Sequence, residues 1–280
     1  MPELPDIRLL AESMNKALVE KVIFDSKVNQ PKVLNYSKST FKKQVKGRSF
    51  QRFQQRGKWV LSSLDNDWII AFNLGMGGQL RIHWSVEIPD SKRERIVFFF
   101  EDGDQLWVHF WWFGHVHLVK PGDKVKHPQL GILGIEPLGD AFTSEALASM
   151  LEPKKGRIKS YLLDQRFIAG IGNVYVQDIL WHARLHPNRK ANTLSIVDIE
   201  RLHNAIQHVL QEGIRWGPGP GEQDVWGNRG QWGKQPGWPQ IAYRTGKPCP
   251  TCQTVIEEVR IGSTTSYICP HCQSLTNIWV

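Results

Sequence analysis

Residues 163–175 read LDQRFIAGIGNVY and lie between two segments that have helical patterns. Gly170 and Gly172 come just before a helix that we expect to begin near Asn173, and glycines at such positions allow sharp turns. The free backbone amides at a helix N-terminus are suited to binding phosphate. A turn inside a hydrophobic core is the alternative, but two helices joined by glycine-rich turns favour a helical hairpin that binds nucleic acid.

The charge of the chain favours a polyanionic partner. Its 35 lysines and arginines exceed its 27 acidic residues, which gives a net charge of +8 and an isoelectric point near 9.3. Residues 153–280 hold 15 basic and 9 acidic residues, so most of the net charge lies in this half. This asymmetry is typical of a protein that binds a phosphate backbone, although an ordinary solvated basic surface is the alternative.

The four cysteines of the chain all lie near its C-terminus. They form two Cys-x2-Cys pairs, Cys249 with Cys252 and Cys269 with Cys272, separated by sixteen residues. This spacing predicts one structural zinc ion held by four thiolates in a ribbon with short strands at 254–256 and 266–268. Two disulfides are the alternative, which we disfavour because the chain begins without a secretion signal. Removal of zinc should unfold so small a ribbon.

The first part of the chain changes from a helical to a strand pattern. Residues 5–20 carry apolar side chains at helical spacing, which predicts a helix directly after the N-terminus. Between Lys21 and about Leu118, strand-like runs alternate with turn signals, and they predict a two-layer antiparallel β domain. The runs are 22–24, 59–61, 68–72, 95–100 and 105–110.

The second part of the chain is predicted to be mostly helical. Residues 120–140 are rich in Pro, Gly and Lys, as expected of a linker, and helix candidates follow at 143–151, 157–164, 174–183 and 195–213. Thr143 and Ser195 are the expected N-caps. Residues 216–239 carry seven Gly, four Pro and four Trp without periodicity, so we predict a long loop that is either functional or fixed to the core by its tryptophans.

Composition excludes several classes of protein. With 41% hydrophobic residues, 12 Phe and 12 Trp, the chain is neither disordered nor collagen-like nor a disulfide miniprotein. It has no run of the roughly 18 apolar residues that a membrane span requires. We therefore expect a soluble intracellular protein that binds no membrane.

The N-terminus itself is a candidate nucleophile. Removal of Met1 would leave Pro2 with a free secondary amine, and an α-amine has a reference pKa of about 7.7 to 8.0, well below that of lysine. Such an amine can attack C1′ of a nucleotide sugar and form a Schiff base. Glu3 is the next residue and is placed to donate a proton to the leaving group. Pro2 and Glu3 by themselves are weak evidence, since many chains begin in this way.

Five sequence features in order along the chain resemble the formamidopyrimidine-DNA glycosylase and endonuclease VIII family. They are MPELPD at the start, RGKW around Lys58, NLGMGGQLRI from Asn73, LLDQRFIAGIGNVYVQDIL from Leu162, and the four-cysteine ribbon. The resemblance implies an α+β protein with an N-terminal antiparallel β-sandwich and flanking helix, a helix-two-turns-helix domain and a zinc-ribbon hairpin. It also implies base-excision repair of oxidised bases in double-stranded DNA.

The resemblance assigns roles to individual residues of this chain. Pro2 matches the Schiff-base nucleophile and Glu3 the general acid, while Lys58 and Asn173, next to Gly172, match residues that contact the phosphates beside the lesion. Met76 matches the apolar residue inserted into the gap that an everted base leaves, although a methionine is otherwise most often a core residue.

Two departures from the family pattern concern the contacts with DNA. Thr264 stands where the ribbon usually has an arginine that clamps a phosphate, and Arg260 on the same hairpin is a candidate substitute. Trp111 and Trp112 stand where two arginines usually precede Phe-Gly, while Phe113 is kept. Indole rings can stack on bases, but they cannot donate the forked hydrogen bonds by which arginine recognises a base. The resemblance therefore does not imply that this chain shares the family's preference for 8-oxoguanine opposite cytosine.

We divide the chain into a catalytic β-sandwich domain at 1–125, a linker at 126–142, a helix-two-turns-helix domain at 143–240 and a zinc ribbon at 241–280. We expect a monomeric, bacterial, cytoplasmic enzyme associated with the nucleoid through DNA, with glycosylase and abasic-site lyase activity. One alternative is a protein that binds damaged or abasic DNA with weak or no base excision. Another is a zinc-ribbon module of the transcription type, which leaves MPELPD and GIGN unexplained.

Overall fold

The computed structural model describes residues 1–84, 88–90, 92–234 and 238–275. The chain forms two compact units. The first holds residues 1–132 together with Trp216–Gly230, and the second holds residues 133–215 together with the described residues from 231 onward. Residues 216–230 thus group with the β domain, whereas the sequence-based division places them in the helical domain.

The first unit begins with the predicted helix, α1 (Leu4–Leu18). Glu3 caps this helix: its backbone N–H donates to Asp6 Oδ2 at 2.7 Å, as one half of a capping box. Ile7, Leu10 and Met14 are buried because their spacing of three and four residues brings them to one face of the helix. The chain is therefore anchored within four residues of its N-terminus.

Two four-stranded antiparallel sheets form the predicted β-sandwich. In spatial order, one sheet consists of β1 (Ile23–Val28), β6 (Glu94–Phe100), β7 (Gln105–His109) and β5 (Gln79–His83), and the other consists of β2 (Phe50–Arg56), β3 (Trp59–Leu64), β4 (Ile69–Asn73) and β8 (His115–Val119). Buried apolar side chains from both sheets and from α1 belong to one core cluster, in which Phe98 contacts Phe50 and Phe72 from the opposite sheet.

Several elements of this unit carry too weak a pattern to be predicted. In β2 a register shift between Phe50 and Arg52 places Phe50 and Phe53, three residues apart, in the same core. A bulge of this kind breaks the two-residue period by which strands are recognised. Helix α2 (Lys38–Val45) buries only Phe41 and Val45, and strands β5 and β8 are short. A 3-10 turn lies at Pro31–Val33.

The second unit contains the four predicted helices and the ribbon. The helices are α3 (Ser144–Leu151), α4 (Ile158–Leu163), α5 (Tyr175–His182) and α6 (Ile196–Trp216), with a 3-10 turn at Ala191–Thr193 before α6. Thr143 caps α3 as predicted, since its Oγ1 accepts from the N–H of Ala146 at 3.2 Å. Helix α6 extends three residues beyond the predicted end.

The ribbon hairpin consists of β9 (Glu257–Ile261) and β10 (Thr264–Ile268), which pair antiparallel. The prediction of a strand at 254–256 is wrong, because this segment closes the first cysteine knuckle instead. The N–H of Cys249 donates to the carbonyl of Thr254 at 2.9 Å, and Val255 forms an isolated bridge with Pro248. The prediction at 266–268 is confirmed as part of β10.

Across the described part of the chain, no helix is both long and apolar enough to cross a membrane.

Candidate active site and DNA-contacting residues

The N-terminus of the chain lies in a group of carboxylates. Pro2 and Glu3 are buried, although Met1 is exposed. Asp6, one turn into α1, accepts two backbone N–H groups, from Glu3 at 2.7 Å and from Gly219 at 2.7 Å. These contacts fix the start of the chain, and with it the position of an amine that can act as a nucleophile.

Lys58 shares this environment. It lies at the tip of the β2–β3 hairpin, in the two-residue turn that it forms with Gly57, which has a positive φ of 53°. Burial lowers the pKa of Lys58, and the carboxylates of Glu3 and Asp6 oppose that change. A buried ammonium group beside two carboxylates is suited to binding a phosphate or to moving a proton.

Met76 and Trp112 lie on two loops that are paired through their backbones. The N–H of Met76 donates to the carbonyl of Trp112 at 2.9 Å, and the N–H of Trp111 donates to the carbonyl of Met76 at 3.0 Å. Gly75 is required here, because a Cβ on it would lie 2.1 Å from the Trp112 carbonyl oxygen. The structure thus brings Met76 next to Trp111 and Trp112, the residues to which the resemblance draws attention on these two loops.

The side chains on these paired loops are unusually exposed for apolar groups. Met76, Trp111, Trp112 and Phe113 have exposed fractions between 45% and 73%. Phe113 also has a positive φ of 59°, a strained conformation that persists only where the surroundings enforce it. Grouped exposed apolar side chains mark a binding surface, and we call these four residues the apolar wedge.

In the second unit, the glycine-rich turn before α5 is held by side-chain amides. Gln165 Oε1 accepts from the N–H of Gly170 at 2.8 Å, and its Nε2 donates to the carbonyl of Ile171 at 2.8 Å. Asn173 follows Gly172, and its Oδ1 accepts from Gln177 Nε2 at 3.1 Å. Gln177 thereby orients the amide of Asn173, whose nitrogen is the atom that can donate to a phosphate.

Gln177 also connects this turn to the ribbon. Its Nε2 donates to the carbonyl of Thr265 at 3.2 Å, and its Oε1 accepts from the N–H of Tyr267 at 3.2 Å. One buried side chain, that of Gln177, therefore positions both Asn173 and β10. The sequence did not reveal this residue, because a glutamine within a helix carries no distinctive signal.

Lys159 is a second residue that the sequence did not reveal. Its Nζ donates to Thr264 Oγ1 at 3.0 Å, to the carbonyl of Thr265 at 2.7 Å and to Ser266 Oγ at 2.7 Å. Burial lowers the pKa of Lys159 to about 8. The one sequence feature that could have indicated a buried lysine is its place between Ile158 and Leu162 on the apolar face of α4.

The register of the hairpin separates Arg260 from Thr264. Arg260 pairs with Thr265, whereas Thr264 pairs with Ile261. Because successive side chains in a strand point to opposite faces, Arg260 and Thr264 lie on opposite faces of the ribbon. Arg260 is exposed, while Thr264 is half-buried against Lys159.

The four cysteines form the predicted metal centre. Their sulfur atoms all lie within 4.8 Å of one another, with separations of 3.8 Å between Cys249 and Cys272 and 3.4 Å between Cys252 and Cys269. A tetrahedral zinc ion with Zn–S bonds of about 2.3 Å would place its ligands about 3.8 Å apart. The cysteines therefore fit one zinc ion that has no open position for substrate.

Three family models together match most of the chain. The formamidopyrimidine-DNA glycosylase N-terminal domain matches residues 1–130, the formamidopyrimidine-DNA glycosylase H2TH domain matches 133–222, and a zinc finger found in FPG and IleRS matches 246–275.

Relatives and solved structures agree with these models. Formamidopyrimidine-DNA glycosylases from Chloroflexus aurantiacus and Protochlamydia amoebophila are 37% and 35% identical to the chain, each over 279 residues. These matches cover 98% of this chain in both cases, and 98% and 99% of the respective relatives.

A Lactococcus lactis Fpg complex with DNA containing an abasic site has a TM-score of 0.88 and 26% identity, covering 97% of this chain and 99% of that one. A second Lactococcus lactis complex, with DNA containing N7-benzyl-Fapy-dG, has a TM-score of 0.89 and 26% identity, covering 98% of this chain and all of that one. With its β-sandwich, helical unit and four-cysteine ribbon, the chain belongs to the formamidopyrimidine-DNA glycosylase family and is a DNA glycosylase of base-excision repair.

Proposed function

We propose that Pro2, once Met1 has been removed, is the nucleophile by which this glycosylase excises damaged bases from double-stranded DNA. The observation that carries the proposal is the anchored N-terminus, where buried Pro2 and Glu3 lie in one environment with Asp6 and Lys58. Attack of the Pro2 nitrogen on C1′ breaks the glycosidic bond, and the electron pair leaves with the base. Glu3 supplies a proton to the departing group.

The same intermediate supports strand cleavage. When the sugar ring opens, the Pro2 nitrogen and C1′ are joined as an imine, which acidifies the C2′ protons. Loss of one of these protons expels the 3′ phosphate by β-elimination. This β-elimination is the abasic-site lyase reaction, and it requires no redox or nucleotide cofactor.

We assign DNA-backbone contacts to residues of both units. Lys58 binds a phosphate beside the lesion, and Asn173 binds one through its amide nitrogen, together with the backbone amide of Gly172. Thr264 cannot replace the missing arginine as a bidentate ligand. Arg260 projects from the opposite face of the hairpin, so it does not occupy the place of the missing arginine.

The apolar wedge has the properties needed to hold open the gap that an everted base leaves. Insertion of Met76 would restore stacking contacts and offset part of the few kcal/mol that base eversion costs. Phe113, Trp111 and Trp112 supply flat surfaces for the neighbouring bases. Exposure of these side chains on a rigid paired loop supports this role.

We further propose that the protein acts as a monomer on cytoplasmic, nucleoid-bound DNA. The sequence-based boundaries at 125, 142 and 240 remain our proposal for its functional domains. Residues 216–230 are the exception, because they pack in the first unit and contribute to the N-terminal site there.

The test is borohydride trapping on two duplexes, one with an oxidised base and one with a preformed abasic site. Wild-type protein should form covalent complexes with both, whereas Pro2→Gly should lose them and still bind DNA. Trapping on the abasic duplex alone would mean that the protein has lyase activity but does not excise the oxidised base of the other duplex. Tight binding with no trapping on either duplex would support a damage-binding protein, a role that the family assignment does not favour.

A further inference from the structure

The loop that follows α6 carries a carboxylate to the N-terminal amine. Glu222 Oε1 lies 3.5 Å from the amine nitrogen of Met1, and the Glu222 side chain is only 13% exposed. Nothing in the sequence singles out Glu222, since the loop at 216–239 carries no periodic pattern.

Residues 219–225 of this loop are hydrogen-bonded within the first unit. Backbone groups of Gly219 and Val225 connect the loop to α1 and β5, and the side chain of Gln223 also connects it to β5. The contacts are Gly219 N–H to Asp6 Oδ1 at 2.7 Å, Val225 N–H to Ser13 Oγ at 3.2 Å, Ile82 N–H to the Val225 carbonyl at 3.0 Å, and Arg81 Nη1 to Gln223 Oε1 at 2.6 Å. Glu222 is therefore presented to the amine by a fixed backbone.

The three carboxylates around the N-terminus have different surroundings. Asp6 uses both of its oxygens to accept backbone N–H groups, which makes it a structural anchor. Glu3 belongs to the capping box of α1. Glu222 forms an ion pair with the amine itself.

We infer that Glu222 is the proton acceptor that converts the N-terminal ammonium group into the nucleophilic amine. This inference rests on the proposed function of Pro2. In this step a single proton moves from the Pro2 nitrogen to Glu222 Oε1, and the nitrogen regains the electron pair with which it attacks C1′. No other bond is made or broken.

The electrostatics of the site suit this transfer. Burial raises the pKa of Glu222 to about 7, with Asp6 and Glu3 contributing in the same direction and the N-terminal amine opposing. The raised pKa of Glu222 makes it a better proton acceptor than an ordinary exposed carboxylate. Lys58 is the nearby cation whose charge interacts with Glu3 and Asp6.

Removal of Met1 keeps the amine within reach of Glu222. The nitrogen of Pro2 is one residue along the chain, a displacement of at most about 3.6 Å. Pro2 directly precedes Glu3, the N-cap of α1, and rotation about the side-chain bonds of Glu222 allows its carboxylate to approach the shifted nitrogen.

The experiment compares single-turnover imine formation on a preformed abasic duplex between pH 6 and 9. It uses wild type, Glu222→Gln, Glu222→Asp and the matched control Glu200→Gln, an exposed glutamate on α6. Mass spectrometry confirms that each protein lacks Met1, and equilibrium binding to the same duplex checks its fold.

Glu222→Gln should slow trapping at pH 7 by roughly 10- to 100-fold and leave DNA affinity unchanged. The deficit should shrink towards pH 9, because solvent then deprotonates the amine without help. Glu222→Asp should restore part of the rate, and Glu200→Gln should match wild type.

Trapping by Glu222→Gln that equals or exceeds wild type at pH 7 would overturn the inference, because the carboxylate would then merely hold the amine protonated. A deficit that stays constant with pH would also overturn it. Absence of trapping by wild type at every pH would instead contradict the proposed function of Pro2.

Discussion

Lys159 illustrates how a single buried charge affects this protein. Its ammonium group donates to three neutral oxygens of β10, and burial lowers its pKa from the ordinary 10.5 to about 8. Above pH 8 the folded protein therefore releases a proton that the unfolded chain keeps until about pH 10.5. Because the unfolded state then binds more protons, the free energy of unfolding should rise with pH in this window.

We expect Lys159 to contribute a rise of at most about 3.4 kcal/mol between pH 8 and 10.5, equal to 1.36 kcal/mol for each unit of the pKa difference. Chemical denaturation at several pH values measures it. Lys159→Met should remove the rise, whereas Lys155→Met, at an exposed position nearby, should keep it. An identical pH dependence in Lys159→Met would show that other groups cause the effect.

Trp111 and Trp112 lead to a prediction about the opposite base. Indole rings offer stacking but no forked hydrogen bonds, so they cannot discriminate strongly among the four bases. Excision of one oxidised base should therefore vary by less than about 10-fold with the base opposite it, as measured by single-turnover kinetics on four duplexes. A preference above 100-fold would require a base-reading group that we have not identified.

At the scale of elements, α5 holds the segment that leads into the ribbon. Asp178 is fully buried and accepts from the backbone N–H groups of Gln240, Ile241 and Ala242 at 2.8 to 3.1 Å. Desolvation raises the pKa of Asp178, and the three N–H donors oppose that change. One helix residue thus supplies acceptors for three backbone donors of a buried loop.

Asp178→Ala should destabilise the protein by roughly 2 to 5 kcal/mol, because it leaves buried N–H groups without acceptors. Thermal and denaturant unfolding measure the loss. Glu200→Ala on α6 is the matched surface control and should change stability by less than about 0.5 kcal/mol. A small effect of Asp178→Ala would mean that water replaces the carboxylate.

The ribbon is the element that depends on metal. Its core consists of little more than the cysteines with Trp181, Ile241 and Ile256. A chelator should therefore increase hydrogen exchange across residues 249–273 and weaken DNA binding, and added zinc should reverse both effects. The β-sandwich should keep its protection. Unchanged exchange in the ribbon of a demonstrably zinc-free protein would contradict this expectation.

At the scale of the whole molecule, the net charge of +8 bears on how the protein searches DNA. Contacts with about four to six phosphates should weaken binding to an undamaged duplex by roughly 100- to 1000-fold between 50 and 200 mM salt. Fluorescence anisotropy at several salt concentrations gives the slope, and Asn173→Ala should leave the slope unchanged while it weakens binding by roughly 1 to 3 kcal/mol, because a neutral amide releases no counterion. A flat salt dependence would contradict backbone binding.

The sequence by itself determined the zinc ligands, the helix at the start, the turn before α5 and the order of the domains. Each of these depends on local chemistry: cysteine spacing, helical periodicity, or glycines at a helix N-terminus. The same local rules could not find β2, whose bulge breaks the strand period, or the correct first strand of the ribbon.

Only the tertiary structure decided the surroundings of the site. The roles of Lys159, Gln177 and Glu222 depend on contacts between residues up to more than 200 positions apart in the chain, and such contacts leave no local pattern in the sequence. The register of β9 with β10 likewise decided that Arg260 and Thr264 lie on opposite faces. Long-range packing sets these positions, because burial and hydrogen bonding are satisfied only when distant segments meet.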